Sequence, residues 1–336
     1  MGGTDAGPEG LGSRGPAPTG GAVRVSVVIA AHKRVEFLKR AVASATSQRP
    51  DEVLVVKFTH DADLDRELTA LGATVLFTEE LYQGGKFADG VERASGDVVL
   101  LLDDDDVFLP GKVARVRETF ADPRVVFYEN RYLPFTDTPP AAGTHGPVRL
   151  YETGQVNQYR EGLKPALTSC LAVRRSTLAP WLKDLRGLTI ADHTMFLMAA
   201  AARQFMAMDQ SVLTGYHVAT VAGALRPAQS IWFRPGASAA HDIRWMLDLL
   251  DSQPKGVQET MNPVVARAAI HLVFLTNDTH FREYRRTMRA ILRGVGVRRP
   301  LTVPTLLMFG YPLSPRLAVA LNRTWRSLVG YHHNQG

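Results

Sequence analysis

A chain of 336 residues, 45% of them hydrophobic, holds enough apolar material for one large domain or a domain with an appendage, which excludes disorder as its default state. Its single cysteine, Cys170, excludes an internal disulfide framework and a multi-cysteine zinc site, and suits a reducing, cytoplasmic setting. The formal net charge of +6 suits anionic partners, whether nucleotides, lipid phosphates, acidic membranes or nucleic acid.

Met1 to Ala22 are dominated by Gly, Pro and small residues and lack an apolar h-region, the composition of a disordered tail and not of a signal peptide. Val23–Ala30 then reads as a buried first strand. Val35–Ser47, with apolar Phe37, Leu38, Ala41, Val42 and Ala45, has the spacing of an amphipathic helix. A second strand is expected at Glu52–Val56, a helix at Leu64–Leu71 and a third strand at Ala73–Phe77. The pair Gly84-Gly85 then precedes a helix from Lys86 to Ala94. The apolar run starting at Val98 is the fourth strand, and alternation at this spacing predicts a doubly wound α/β fold with a parallel sheet.

That fourth strand ends in Asp103, Asp104, Asp105 and Asp106, which places carboxylates at the strand end where open α/β sheets bind ligands. Four adjacent carboxylates repel one another unless solvated or neutralised, and such oxygen ligands suit Mg²⁺ or Mn²⁺ beside a substrate's phosphates. The plain alternative is a solvated acidic turn. An EF-hand does not fit, since its glycine and late glutamate are missing.

Downstream, Pro110-Gly111 opens a helix to Phe120 and Arg124–Tyr128 reads as a strand, while Pro134–Pro147, rich in Pro, Gly and Thr, reads as a mobile loop. A strand at Ala166–Val173, a helix from near Thr189 to Arg203 and a strand at Phe205–Leu213 follow. Past Pro235 only helices are expected, at Ala237–Leu250, Pro263–Asn277 and Phe281–Leu292. The expected division is a tail over 1–22, an α/β domain over 23–235 and a helical region over 236–336. No run of about 18 apolar residues offers a membrane span. Arg282, Arg285, Arg286, Arg289 and Arg293 recur at helical spacing, either as a basic face resting peripherally on an anionic membrane or as a solvated face whose apolar side packs on the domain.

Several of these segments, in order, carry a resemblance. Val-Ser-Val-Val-Ile-Ala-Ala-His-Lys-Arg with the following Leu-Lys-Arg-Ala-Val-Ala-Ser-Ala-Thr-Ser-Gln, and Gly84-Gly85-Lys86-Phe87-Ala88-Asp89-Gly90 leading through Ala94-Ser95-Gly96-Asp97 to the four aspartates, are similar to the inverting GT-A glycosyltransferases of family 2 type. The resemblance covers roughly Val23 to Gly223 and implies a GT-A, Rossmann-like, mostly parallel sheet flanked by helices, here with a C-terminal helical appendage. It implies a metal-dependent, inverting, hexosyltransferase-like enzyme that moves one sugar from a nucleotide-diphospho-sugar to a glycan or lipid-linked hydroxyl, as in cell-envelope polysaccharide synthesis.

Residue by residue, the resemblance implies that Asp105 ligates Mn²⁺ or Mg²⁺ and that Asp103 contacts the ribose or the metal's water shell. Asp104 supports them at the donor, and Lys86 meets phosphate. His32 and Arg34 fall where the family places base and diphosphate contacts. The family's acidic pair at the end of the second strand is replaced here by Lys57-Phe58, with Asp61 arriving later, so Lys57 and Asp61 become the nucleotide contacts and the base stays open, UDP before GDP. Asp192, in Ala191-Asp192-His193 where the family has Glu-Asp, is the implied general base, unless with Thr189 it only caps a helix. His217 is placed as a further metal ligand and His193 as structural; Trp181 is either an acceptor platform or a packing anchor. Gln229-Ser230-Ile231-Trp232-Phe233 lacks the arginine of a processive synthase. A sugar nucleotidyltransferase would need glycines after the first strand; the remaining alternative is a non-catalytic nucleotide-sugar or nucleic-acid binding module, whose nucleic-acid form would need more aromatics in the basic run, so no nucleic-acid partner is expected.

Overall fold

The computed structural model describes residues 22–32, 35–80, 82–153, 167–188, 191–218, 239–275, 283–295 and 313–328. The tail up to residue 21, Lys33, Arg34, Thr189 and the segment Gln229–Phe233 lie outside the described residues. Strands β1 (Val25–Ala30), β2 (Glu52–Lys57), β3 (Thr74–Phe77) and β4 (Val98–Asp103) pair in parallel in the order β3-β2-β1-β4. They alternate with helices α1 (Val35–Thr46), α2 (Ala62–Ala70) and α3 (Gln83–Arg93). β1 and β4 are buried on both faces, as their unbroken apolar runs require. The chain winds one way from β1 to β3 and then returns to β4 on the other side of β1, so a crevice opens between the carboxyl ends of β1 and β4, where Ala30 pairs with Asp103.

The second half departs from the expected parallel winding. β5 (Val107–Phe108), β6 (Val125–Phe135), β7 (Val148–Glu152), β8 (Leu171–Arg174) and β9 (Phe205–His217) continue the sheet as β4-β8-β6-β9-β5, with β7 on β9. β8 runs antiparallel to both β4 and β6, β5 and β7 run antiparallel to β9, and only β6 and β9 are parallel. The sheet is therefore mixed. The expected loop of 134–147 is also corrected: its first two residues belong to β6, and Thr144 exchanges backbone hydrogen bonds with Val212 at 3.2 and 2.9 Å.

Helix α4 (Lys112–Phe120) joins α1 and α2 on one face, over a core containing Val27, Ile29, Leu100, Val116 and Tyr128. On the other face lie α3 and the short helices α5 (Arg175–Leu178) and α6 (Leu182–Gly187), then α7 (Ala191–Ala201). α7 is apolar almost all round, because α8 (Ala239–Asp251) and α9 (Lys255–Leu275) cover its outer side. Val28, Phe127, Phe196, Met246, Val265 and Leu272 all belong to one continuous apolar cluster, so the C-terminal helices extend the core of the sheet domain. α9 runs through Pro263, the residue expected to start it; burial of Val257, Met261 and Val265 offsets a helix-interior proline cost of about 3 kcal/mol. α10 (Tyr284–Val295) and α11 (Pro315–Leu328) complete the region, and no described helix is long and apolar enough to cross a membrane.

Candidate active site

The aspartate turn is held from both sides. β4 ends at Asp103, and the two-residue β5 immediately pairs with β9, Val107 opposite Gly215 and Phe108 opposite Thr214. A side chain at 215 would press on Val107 Cγ2 at 2.7 Å, so the close approach of these strands needs the glycine. This pairing carries β9 past its expected end at Leu213 and delivers His217 to the aspartates. The His217 N–H donates to Asp106 Oδ1 at 2.8 Å, and its Nδ1 lies 3.5 Å from Asp105 Oδ2. Phe37 and Phe135 pack on the imidazole, at ring distances of 4.5 and 5.4 Å.

The four carboxylates have different employments. Asp104 is fully buried and accepts the His32 backbone N–H at 2.6 Å, locking the end of β1 to the turn. Asp106 is buried behind His217. Asp103 and Asp105 are the half-buried pair that faces outward; Gln83 Nε2 donates to Asp103 at 2.5 Å, while the Asp103 N–H donates to Ser169 Oγ at 3.0 Å. Among the described residues no three His, Cys, Asp or Glu side chains converge on a metal position, so Asp103, Asp105 and His217 do not form a closed three-ligand cage.

Two cations unnoticed in the sequence balance this turn. Lys112 is fully buried, donates to Thr214 Oγ1 at 2.8 Å and to the Ser169 carbonyl, and lies over the Phe108 ring; burial holds its ammonium down at about 8. Arg40 of α1 lies over the rings of Phe37 and Phe135, with its Nε and Nη2 buried and without a hydrogen-bond partner. Burial lowers its pKa while the nearby Asp105 and Asp106 pull the other way. The Pro-Gly-Lys start of α4 and the Leu-Lys-Arg of α1 were the available signals.

Several expected nucleotide contacts turn inward. Lys86 is fully buried in the first turns of α3, its Nζ 3.1 Å from His32 Nδ1 and 4.7 Å from the Phe58 ring centroid, so a direct phosphate contact requires it to leave these partners. The glycine pair before it is inside α3, pressed against α6: a Cβ on Gly84 would meet the carbonyl oxygens of Leu185 and Leu188 at 2.5 Å. His32 is buried beneath the crevice. Lys57 is buried and ion-paired with Asp65, and Asp61 caps α2 by accepting the Leu64 N–H at 3.1 Å. Trp181 packs edge-on against Trp245 with ring centroids 6.1 Å apart, the anchor of its two readings.

Asp192 stands in the first turn of α7, a partly exposed carboxylate on a largely apolar helix. His193 does not point elsewhere, as expected, but folds back: its backbone N–H donates to Asp192 Oδ1 at 2.6 Å and its Nδ1 lies 2.7 Å from the same oxygen. Facing this pair from β6 is Glu129, whose carboxyl is pushed up to about 8, by burial first and by the Asp192 charge second. β8 links the two carboxylate groups, because Leu100 and Tyr128 both pair with Ala172 and Glu129 pairs with Leu171. Asp103 and Glu129 thus lie at the same end of the sheet, two strand spacings or roughly 10 Å apart across it.

Residues 26–180 match the sequence model of the family described as Glycosyl transferase family 2. An uncharacterized glycosyltransferase from a Nostoc species is 31% identical over 113 residues; the match spans 31% of this chain and about a third of that relative, 35%. Among solved structures, S. aureus TarS in complex with UDP-GlcNAc superposes with a TM-score of 0.57 at 13% identity, covering 90% of this chain and 92% of that one. A mannosyltransferase, PcManGT from Pyrobaculum calidifontis, in complex with GDP-Man and Mn²⁺, gives 0.52 at 16% identity, covering 93% and 89%. Likeness over this much of the chain reaches beyond the sheet into the C-terminal helices.

Proposed function

We propose that this protein transfers one sugar from a nucleotide-diphospho-sugar to an alcohol, with inversion; the match of residues 26–180 to the family 2 glycosyltransferase model and the GT-A fold of the sheet with its helices support the reading. The observation that carries the reading is the union, at one sheet end, of the outward pair Asp103 and Asp105, backed by His217 and Arg40, with Glu129 two strands away and Asp192 facing it from α7.

A divalent cation fits these residues. Asp105 and His217 offer one carboxylate oxygen and one imidazole, a combination that suits Mn²⁺ and leaves the remaining positions to donor phosphates and water, as such sites usually do. When bound, the cation neutralises charge on the departing diphosphate. Asp103, held by Gln83, orients toward the ribose; Arg40, with its Nε and Nη2 nitrogens unpartnered, offers the diphosphate a charge-assisted contact. Asp192 takes the proton of the acceptor hydroxyl as its oxygen attacks from the face opposite the leaving group. The bound donors of TarS and PcManGT, UDP-GlcNAc and GDP-Man, keep both bases in play for this chain, with UDP first. The acceptor is a glycan or lipid-linked alcohol; Arg285 and Arg289, exposed on α10, offer positive charge to an anionic surface.

The deciding experiment is release of nucleoside diphosphate from UDP-GlcNAc and from GDP-mannose, with and without Mn²⁺. Metal-stimulated release from one of them supports the reading. If neither donor shifts the melting temperature with Mn²⁺ present, the donor site is misassigned.

A further inference from the structure

Glu129 has no place in the chemistry above, yet its setting is unusual. It lies on β6 two residues beyond Phe127, and alternation puts both side chains on the face covered by α7. Phe127 meets Phe196 of α7 edge-on at 5.5 Å, and Asp192 is one helical turn before Phe196. The next rung of this strand-to-helix contact is therefore Glu129 against Asp192. Glu129 Oε2 is buried and without a hydrogen-bond partner, where a buried carboxylate would normally demand a cation or several donors. Among the described residues no cation answers it. The described titratable groups that face it are Asp192 from α7 and, from the turn before β8, the Cys170 thiol, which burial pushes up to about 12 and so keeps neutral. On the opposite side of β6, Asn130 turns away to Thr214, where Lys112 is bound.

We propose that Glu129 is a positioning residue for Asp192: the two carboxyls share one proton, which Glu129 keeps, so that Asp192 alone is ionised toward the acceptor hydroxyl. This rests on the reading of Asp192 as the base. Two like charges this close cannot both form cheaply in a buried setting, and the better desolvated partner retains the proton. Ionising Glu129 at high pH puts a second negative charge beside the base and the anionic donor, and activity falls.

The test uses the full chain and the variants Glu129→Gln and Glu129→Ala. The first readout needs no donor. In the wild type the unfolded chain releases the Glu129 proton above the ordinary carboxyl range while the folded protein holds it to about 8, so stability drains away across that window. Glu129→Gln lacks this loss, and its melting temperature gains on the wild type steadily from pH 5 to pH 8. The second readout is Mn²⁺-dependent diphosphate release against pH. Glu129→Ala loses roughly tenfold or more, Glu129→Gln recovers most of that loss, and the alkaline fall near pH 8 is weaker in Glu129→Gln than in the wild type, Lys112 contributing the remainder. Parallel melting curves, or an unchanged alkaline limb in Glu129→Gln, overturn the proposal. A donor that fails to bind any variant leaves the melting comparison standing and indicts the proposed function instead.

Discussion

The two halves of the sheet solve different problems by different means. From β1 to β4, every strand is parallel, β1, β2 and β3 pair in chain order before β4 returns to β1, and the site residues hang on strand ends. From β5 to β9, the pairings are mostly antiparallel and long in range, Arg131 to Val212 or Thr144 to Val212, and the site residues are brought in by strands that cross back. The first half supplies the crevice and the aspartate turn; the second determines what stands opposite them. The aspartate turn is the seam, gripped by β4 on one side and by β5 and β9 on the other.

The strongest way to break this division is to remove one acid from each side. On the proposed reading, Asp105→Asn should abolish Mn²⁺-dependent donor binding and lower activity on the order of 10³-fold, because it removes a carboxylate that would hold the cation. Titration calorimetry with donor, with and without Mn²⁺, checks it. Asp192→Asn should cost about 10² to 10⁴ in turnover and leave donor affinity unchanged. Should both variants lose donor binding alike, the division into a donor half and an acceptor half fails.

The same contrast explains what the sequence discloses. Val98 to Asp106 announces a buried strand with a ligand end because adjacent residues carry both signals. β5 is two residues long and β7 pairs only with β9, so neither has a periodicity of its own to display. β9 outlasts its apolar run because Tyr216 and His217 are held by β6, whose Pro134 and Phe135 themselves look like loop. Glu129 was invisible for a simpler reason: one acid in Phe-Tyr-Glu-Asn acquires meaning only when α7, more than sixty residues later, brings Asp192 to the same face. Lys86, Lys57 and Asp61 show the converse, since a polar residue near the crevice can lie against His32, pair with Asp65 or cap a helix, and the sequence does not reveal such partners.

Smaller effects sharpen the comparison through stability. Gly90→Ala would drive a methyl into Val28 where α3 crosses β1, in the half with no slack, and should cost about 1–3 kcal/mol, read as a lower denaturation midpoint. Lys112→Met removes the donor to the Ser169 carbonyl and Thr214 that ties α4 to the seam, at about 1–3 kcal/mol near neutral pH. Its pH signature has a definite sign. The folded Lys112 releases its proton near 8, before the unfolded chain does, so the burial cost fades as pH rises from about 8 toward the ordinary lysine range. Wild-type stability should climb in that window relative to Lys112→Met, which has no such proton to lose.

The smallest effect is expected at the far edge, on α10. Arg286 reaches Asp248 and Asp251 of α8 at 2.8 and 2.7 Å, yet its carboxylate partners are 61% and 57% exposed. Pairs in water of this kind are worth at most about 1 kcal/mol and fade with salt. Arg286→Ala should therefore lower the melting temperature slightly at low ionic strength and hardly at all in 0.5 M salt. Apolar packing of Met288 and Ala290, buried on the same helix, holds α10 in place regardless of that arginine. A large, salt-insensitive loss would mean that Arg286 anchors the helical layer over α7, and with it the ceiling above Asp192.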